Sequence, residues 1–338
     1  MRPRLKKLAD QVIVITGASS GIGLVTAKMA AGRGARVLLA ARNQSDLERA
    51  VEEIRRQGGR AVYAVADVAD PEDVERIAET AIREYGRIDT WVNNAAVAVY
   101  GRLMDLSVAD MRRQFDVNYW GQVYGSRAAV PQLKRQGGAL INVASAVADR
   151  AIPLQGNYCA GKYALKAFTD ALRMELEEER APVSVTLVKP GSIDTPLFEK
   201  ARTLLGVEPQ PVPPVYAPEL VARAILECGE RPTRDIIVSG MGKLLSVAGT
   251  AAPRMTDRYM ERTTFESQKT DRPLSPTRRD NLYEPVEHDG GERGKNWAGR
   301  VHPRSLYTAA ALHPGVTAGL ATTLLAAAVA AVAVRNRR

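Results

Sequence analysis

Cysteine is scarce in this chain: Cys159 and Cys228 are the only two. They are too few for a disulfide framework and fit neither a C-x-x-C motif nor a metal-ligand spacing, so a reduced, cytoplasmic compartment is the default. The basic opening MRPRLKKLADQ meets a charge again at Asp10 with no apolar run between. No cleaved secretory leader is expected from it. Basic residues do not interleave with aromatics in the manner of a nucleic-acid platform, and no nucleic-acid partner is expected. Internal repeats are also missing. The net charge of +9 is uneven, because residues 251–338 hold 14 Lys and Arg against 9 Asp and Glu and leave only +4 for the first 250.

What the chain does contain is alternation. Short β-branched or apolar runs occur at 12–16, 36–40, 61–66, 88–93, 138–144, 183–188 and 235–239. Segments of helical period such as NQSDLERAVEEIRRQGG and DPEDVERIAETAIREYG separate them. Strands buried on both faces and joined by helices make a parallel, doubly wound α/β sheet of about seven strands, of Rossmann type, with helices on both faces. This pattern predicts one domain over residues 1–250. Beyond it, residues 251–307 have little periodicity and are rich in Arg, Thr, Pro, Asp and Glu. They are expected to form a polar, mostly solvated linker with one helix near DRYMERTTFESQK. Residues 308–338 are Ala-rich and apolar.

The first strand runs into TGASSGIG, and a helix follows. Gly17 permits a tight turn, Gly21 lets backbone approach a pyrophosphate, and Gly23 lets helix and strand pack closely. Ser19, Ser20 and Ile22 fill the same loop, whose N–H groups and helix N-terminus would face phosphate. Such a loop also serves as an ordinary turn; the strand before it and helix after it favour nucleotide. At the end of the second strand the chain reads LLAARN, with Arg42 where an NAD site would carry a carboxylate. Arg42 could pair with a 2′-phosphate, which favours NADP(H) over NAD, the alternative being one more surface arginine.

Tyr158 and Lys162 stand four apart on a predicted helix and so share a face. A phenol ionises near pH 10, and a neighbouring ammonium would make it a usable acid and base. Ser145 closes the strand GALINVAS thirteen residues earlier, where α/β sheets place ligands. It could hydrogen-bond the substrate oxygen beside the phenol, or be a simple turn hydroxyl.

TGASSGIG, the NNAA of Asn93–Ala96, the Asn118 of DVNYWG, Ser145, Tyr158-x-x-x-Lys162 and the PG of VKPGSIDTP resemble in order and spacing the short-chain dehydrogenase/reductase family. The resemblance covers about residues 10 to 240. It implies that Tyr158 is the acid and base, that Lys162 binds the nicotinamide ribose and lowers the tyrosine pKa, and that Ser145 orients the carbonyl. Asn118 would hold the water of a proton relay, Asp67 with Val68 would meet the adenine, and Asn94 would support the cofactor. Pro190, Gly191 and Thr195 would flank the nicotinamide. A homo-oligomer, dimer or tetramer, is expected as well. Two positions depart from the family: Ala96 replaces a glycine, and NVASA replaces a double serine while keeping Ser145.

The segment after the PG turn is proline-rich, and between Leu204 and Pro218 its only charge is Glu208. It predicts a hydrophobic carbonyl or alcohol substrate, unless it is a solvent-exposed loop with no substrate role. The leading expectation is therefore an NADP(H)-dependent oxidoreductase. The alternative is a nucleotide-sensing or scaffold protein that keeps the fold without turnover. Residues 315–334 carry no charge and are long enough, at about 1.5 Å per helical residue, for the hydrocarbon core of a bilayer. Arg335, Arg337 and Arg338 follow, on the wrong side for the positive-inside tendency if the enzyme faces the cytoplasm. Three readings of the run stay open: a C-terminal membrane anchor, an interfacial helix, and an Ala-rich helix packed on protein.

Overall fold

The computed structural model describes residues 3–287, 290–313 and 317. All seven predicted strands form, as β1 (Val12–Thr16), β2 (Arg36–Ala41), β3 (Arg60–Val65), β4 (Thr90–Asn93), β5 (Gly138–Val143), β6 (Val183–Pro190) and β7 (Asp235–Val238). They pair in one parallel sheet in the order β7-β6-β5-β4-β1-β2-β3. The chain order therefore reverses beside β1, and the crevice at that switch point is where open α/β sheets hold ligands.

Alternation along the strands divides the core. Ile13, Ile15, Val37, Leu39 and Ile141 pack towards α1 (Gly21–Gly32) and α2 (Gln44–Arg56), while Val14, Leu38 and Leu140 pack towards α3 (Pro71–Tyr85). The helices start where the sequence supplies caps. Asp70 accepts the Glu72 N–H with Pro71 at the first helical position, and Asn43 accepts the Asp46 N–H at the head of α2. Next come α4 (Val108–Phe115), α5 (Gly121–Gln136) and α6 (Gly156–Glu178), with one π-helical turn, Asp116–Trp120, joining α4 to α5.

Residues 251–307, expected as a mostly solvated linker with one helix, stay largely exposed but carry more secondary structure than that. After α7 (Pro218–Glu230), the helices α8 (Gly240–Ala251) and α9 (Pro253–Ser267) lead into a strand at Lys269–Pro273 that pairs antiparallel with Val207–Pro209. Further on, Val301–His302 pairs with Val215–Tyr216, and α10 (Leu306–Leu312) ends the described region. The segment buries little apolar surface of its own, which is why no periodicity marks it. Leu282 is fully buried in the α3-side core and Met260 is buried as well, and most other attachments are polar. Arg278 pairs with Glu208 at 3.0 Å, Arg202 bridges Asp110 at 2.7 Å and Asp280 at 3.0 Å, and Arg293 reaches Glu219 at 2.7 Å. Glu208, the one charge in the apolar stretch, is thus spent on holding this segment.

The run 315–334 lies, apart from Thr317, outside the described residues. Among the described residues no helix is long and apolar enough to cross a membrane.

Candidate functional site

Of the candidate catalytic and cofactor-binding residues, all but Gly23 and Asn118 line a single cavity of about 310 Å³ at the switch point. The glycine loop is shaped as the motif requires. Gly17 and Gly21 have φ of +65° and +54°, and a Cβ on Gly23 would sit 2.2 Å from the Gly17 carbonyl oxygen. Asn94 braces the loop from below, its amide donating to the carbonyls of Thr16 at 2.9 Å and Gly17 at 3.2 Å. The N-terminus of α1 has no side-chain cap from Ser20; its dipole acts at the cavity, although its first N–H, that of Gly21, is taken by the Gly291 carbonyl.

At the other end, Ser145 follows β5 and Tyr158 and Lys162 rise from the first turns of α6. The Lys162 ammonium lies 5.6 Å from the centre of the Tyr158 ring and donates to the Val143 carbonyl at 2.9 Å. Burial pulls the Lys162 pKa down to about 7, because a charged amine loses its hydration there. The Tyr158 phenol is pushed upward by burial and by neighbouring Cys159, against a hydrogen bond with Ser145 that favours the phenolate. A cation brought to full charge beside this phenol would therefore be felt strongly.

Asn118 sits in the π-helical turn with both ends of its amide used: Oδ1 accepts the Val97 N–H at 2.8 Å and Nδ2 donates to the Val97 carbonyl at 2.9 Å. These two bonds fix the side chain against the backbone of Val97. Asn93 and Asn142 lie under the floor in a buried chain, Asn93 donating to Asn142 at 2.9 Å and Asn142 to Thr169 at 2.9 Å. This ties β4 and β5 to α6 and fixes the height of the tyrosine. Ala96, the departure from glycine, lines the cavity.

Several lining residues carried no signal in the sequence. Lys200 is buried and its ammonium donates to the Ser20 hydroxyl at 2.9 Å, beside the glycine loop. Met241 and Leu245 from α8 join Val212, Pro213 and Pro214 as apolar wall. Asn281, Pro285 and Val286 line the cavity beside Arg42. The Arg42 guanidinium donates to the carbonyls of Asn281 and Tyr283, and Gly21 donates its N–H to the Gly291 carbonyl at 2.8 Å. Asp67 is paired with Arg113, which also donates to the Leu282 carbonyl at 3.0 Å. The lining carries the cations Arg42, Lys162 and Lys200 against one carboxylate, Asp67. A glycine cradle at a helix N-terminus, with this charge excess, fits a dinucleotide phosphate-first.

Comparison with known proteins agrees. The family model described as short chain dehydrogenase matches residues 11–205. An uncharacterized oxidoreductase, YxnA, of Bacillus subtilis is 49% identical over 332 residues, 97% of this chain and 92% of its own. Dehydrogenase/reductase SDR family member 7B of Xenopus tropicalis is 31% identical over 265 residues, 75% of this chain and 85% of its own. Among solved structures, an alcohol dehydrogenase from the archaeon Thermococcus sibiricus, complexed with 5-hydroxy-NADP, superposes with a TM-score of 0.60 at 28% identity, over 67% of this chain and 95% of that one. The doubly wound sheet, the glycine loop at its switch point and these matches agree: this chain belongs to the short-chain dehydrogenase/reductase family of oxidoreductases.

Proposed function

We propose that the protein is an NADP(H)-dependent oxidoreductase that interconverts a carbonyl and a secondary alcohol on a hydrophobic small molecule by hydride transfer. The observation that carries this reading is the meeting of Ser145, Tyr158 and Lys162 in a cavity whose lining also includes the apolar side chains of Ile152, Leu197, Phe198 and Val212. When bound, the nicotinamide supplies or accepts the hydride. In the reducing direction Tyr158 gives the hydroxyl proton to the carbonyl oxygen, and Ser145 donates a second hydrogen bond to that oxygen. Lys162 holds the nicotinamide ribose, and its charge eases ionisation of the tyrosine. The proton lost by Tyr158 is replaced through Lys162 from a water that Asn118 holds.

Preference for NADP(H) is supported by Arg42 at the end of β2, where the cavity lining has no carboxylate within that loop. The archaeal alcohol dehydrogenase in complex with 5-hydroxy-NADP supports the same choice. Turnover of NADPH with a panel of lipophilic ketones, by the intact protein and by Tyr158→Phe, is the test. Loss of turnover with retained NADPH binding in the variant is expected. Equal turnover by both would remove this mechanism, and binding without turnover by either would favour a non-catalytic nucleotide sensor. The reading includes a homo-oligomer and attachment to membrane through 315–334. Light scattering checks the first, and comparing membrane fractionation of the full chain with one ending at His313 checks the second.

A further inference from the structure

The stretch from Asp280 to Val286 crosses the adenosine end of the cleft, and nothing in the reaction chemistry explains it. It is firmly built. Leu282 is the anchor, fully buried among the side chains on the α3 face of the sheet. The stretch is also held by polar groups in and beside the cleft: Arg42 takes the carbonyls of Asn281 and Tyr283, Arg113 takes that of Leu282, and Asn43 donates to that of Val286 at 2.8 Å. Tyr283 donates its hydroxyl to Asp110 at 3.0 Å under the Arg202 guanidinium. Further along, the Gly291 carbonyl accepts the Gly21 N–H, and Glu292 pairs with Lys28 of α1 at 2.7 Å.

One group in this stretch is left over. Asn281 lines the cavity, and its amide oxygen is buried with no hydrogen-bond partner among the described residues. A buried acceptor without a partner costs free energy unless something else supplies the donor. An amide presents one acceptor and two donors in one plane, which matches the amino group and ring nitrogen along an edge of adenine. Arg42 and Asp67, at the same end of the cavity, mark where the adenosine would lie.

We propose that Asp280–Val286 is a strap over the adenosine half of the dinucleotide, in which Asn281 reads the adenine edge and Leu282 pins the strap shut. This rests on the cofactor reading given above. It has two consequences: the adenine is enclosed by chain from the far end of the sequence, and cofactor leaves only when the strap lifts.

The test uses 2′,5′-ADP, which carries the adenosine half alone, and reduced nicotinamide mononucleotide, which lacks it. Asn281→Ala is expected to weaken 2′,5′-ADP about fivefold by calorimetry, the effect of one net hydrogen bond, with affinity for the mononucleotide unchanged. Leu282→Ala is expected to raise the NADPH dissociation rate at least about tenfold in stopped-flow fluorescence, as expected when a buried leucine anchor is truncated. Because Asn281 is only half-buried, its variant keeps the test alive if Leu282→Ala fails to fold. If wild type binds 2′,5′-ADP and Asn281→Ala binds it as tightly, the strap proposal falls while the cofactor reading stands. If wild type binds neither 2′,5′-ADP nor NADPH, both fall.

Discussion

Lys162→Met replaces a buried ammonium by a side chain of similar reach and no charge, and its effect on stability has a sign that can be worked out. The folded-state pKa of Lys162 is about 7, against an ordinary value of 10.5. Between these two values the unfolded chain holds a proton on the amine that the folded chain has shed. Unfolding is then opposed more strongly as pH rises, by about 1.4 kcal/mol per pH unit for a single group. Wild type should therefore gain about 2 to 3 kcal/mol on Lys162→Met between pH 7 and pH 9. Below pH 7 the folded amine is charged as well, and the difference between the two proteins stops changing. Urea denaturation of the cofactor-free proteins at four or five pH values measures this directly. A difference that is flat from pH 7 to 9 would refute the account of Lys162 as an amine stripped of water. The same shift predicts that NADP(H), bringing negative charge and ribose hydroxyls to the site, draws a proton onto Lys162. At pH 8 cofactor binding should take up most of one proton, visible as a dependence of the calorimetric enthalpy on buffer ionisation and missing in Lys162→Met.

Three further outcomes are expected. Gly23→Ala places a methyl group against the Gly17 carbonyl, 2.2 Å away before relaxation; a loss of about 1 to 3 kcal/mol in chemical denaturation and of NADPH binding in fluorescence titration is expected. Arg42→Ala should lower the ratio of kcat/KM for NADPH over NADH by about ten- to a hundredfold, the scale of a charge-assisted phosphate contact. Asp149 is buried between Lys166 at 2.5 Å and Lys189 at 2.8 Å, and these ammonium groups hold its carboxyl below the ordinary 3.8. Its stabilising effect is full above pH 4 and is lost as pH falls through the lowered value, so Asp149→Asn should destabilise at pH 7 and converge on wild type in acid, measured by thermal melts.

The sheet was legible because its strands must be apolar on both faces. VIVIT, GALINV and VSVTLV carry that requirement openly, and the glycines of TGASSGIG are forced by steric contacts that no other residue survives. Lys200 was not legible: a lone lysine in LFEKART has no period and no motif, and only the turn after Thr195 brings it to Ser20. The polar stretch after residue 250 misled for a related reason. Several of its attachments are backbone carbonyls meeting Arg42 and Arg113, and a carbonyl is the same in every residue type; the others are ion pairs that charged residues anywhere could make. Among its described residues up to 307 only Met260 and Leu282 are buried apolar side chains, and two residues so far apart make no pattern. The π-helical turn around Asn118 was invisible in the same way, because Asp-Val-Asn-Tyr-Trp reads as ordinary helix.

Proteins are made from the N-terminus, and domains generally fold in that order. Here the glycine loop, the sheet and the Ser145–Tyr158–Lys162 group are all synthesised before the residues that close over Arg42. A nascent chain paused near residue 250 would carry an open cleft, with the slot for Leu282 vacant and the guanidinium of Arg42 facing water. The slot for Leu282 is thus filled last, after the sheet and helices that form its walls are complete.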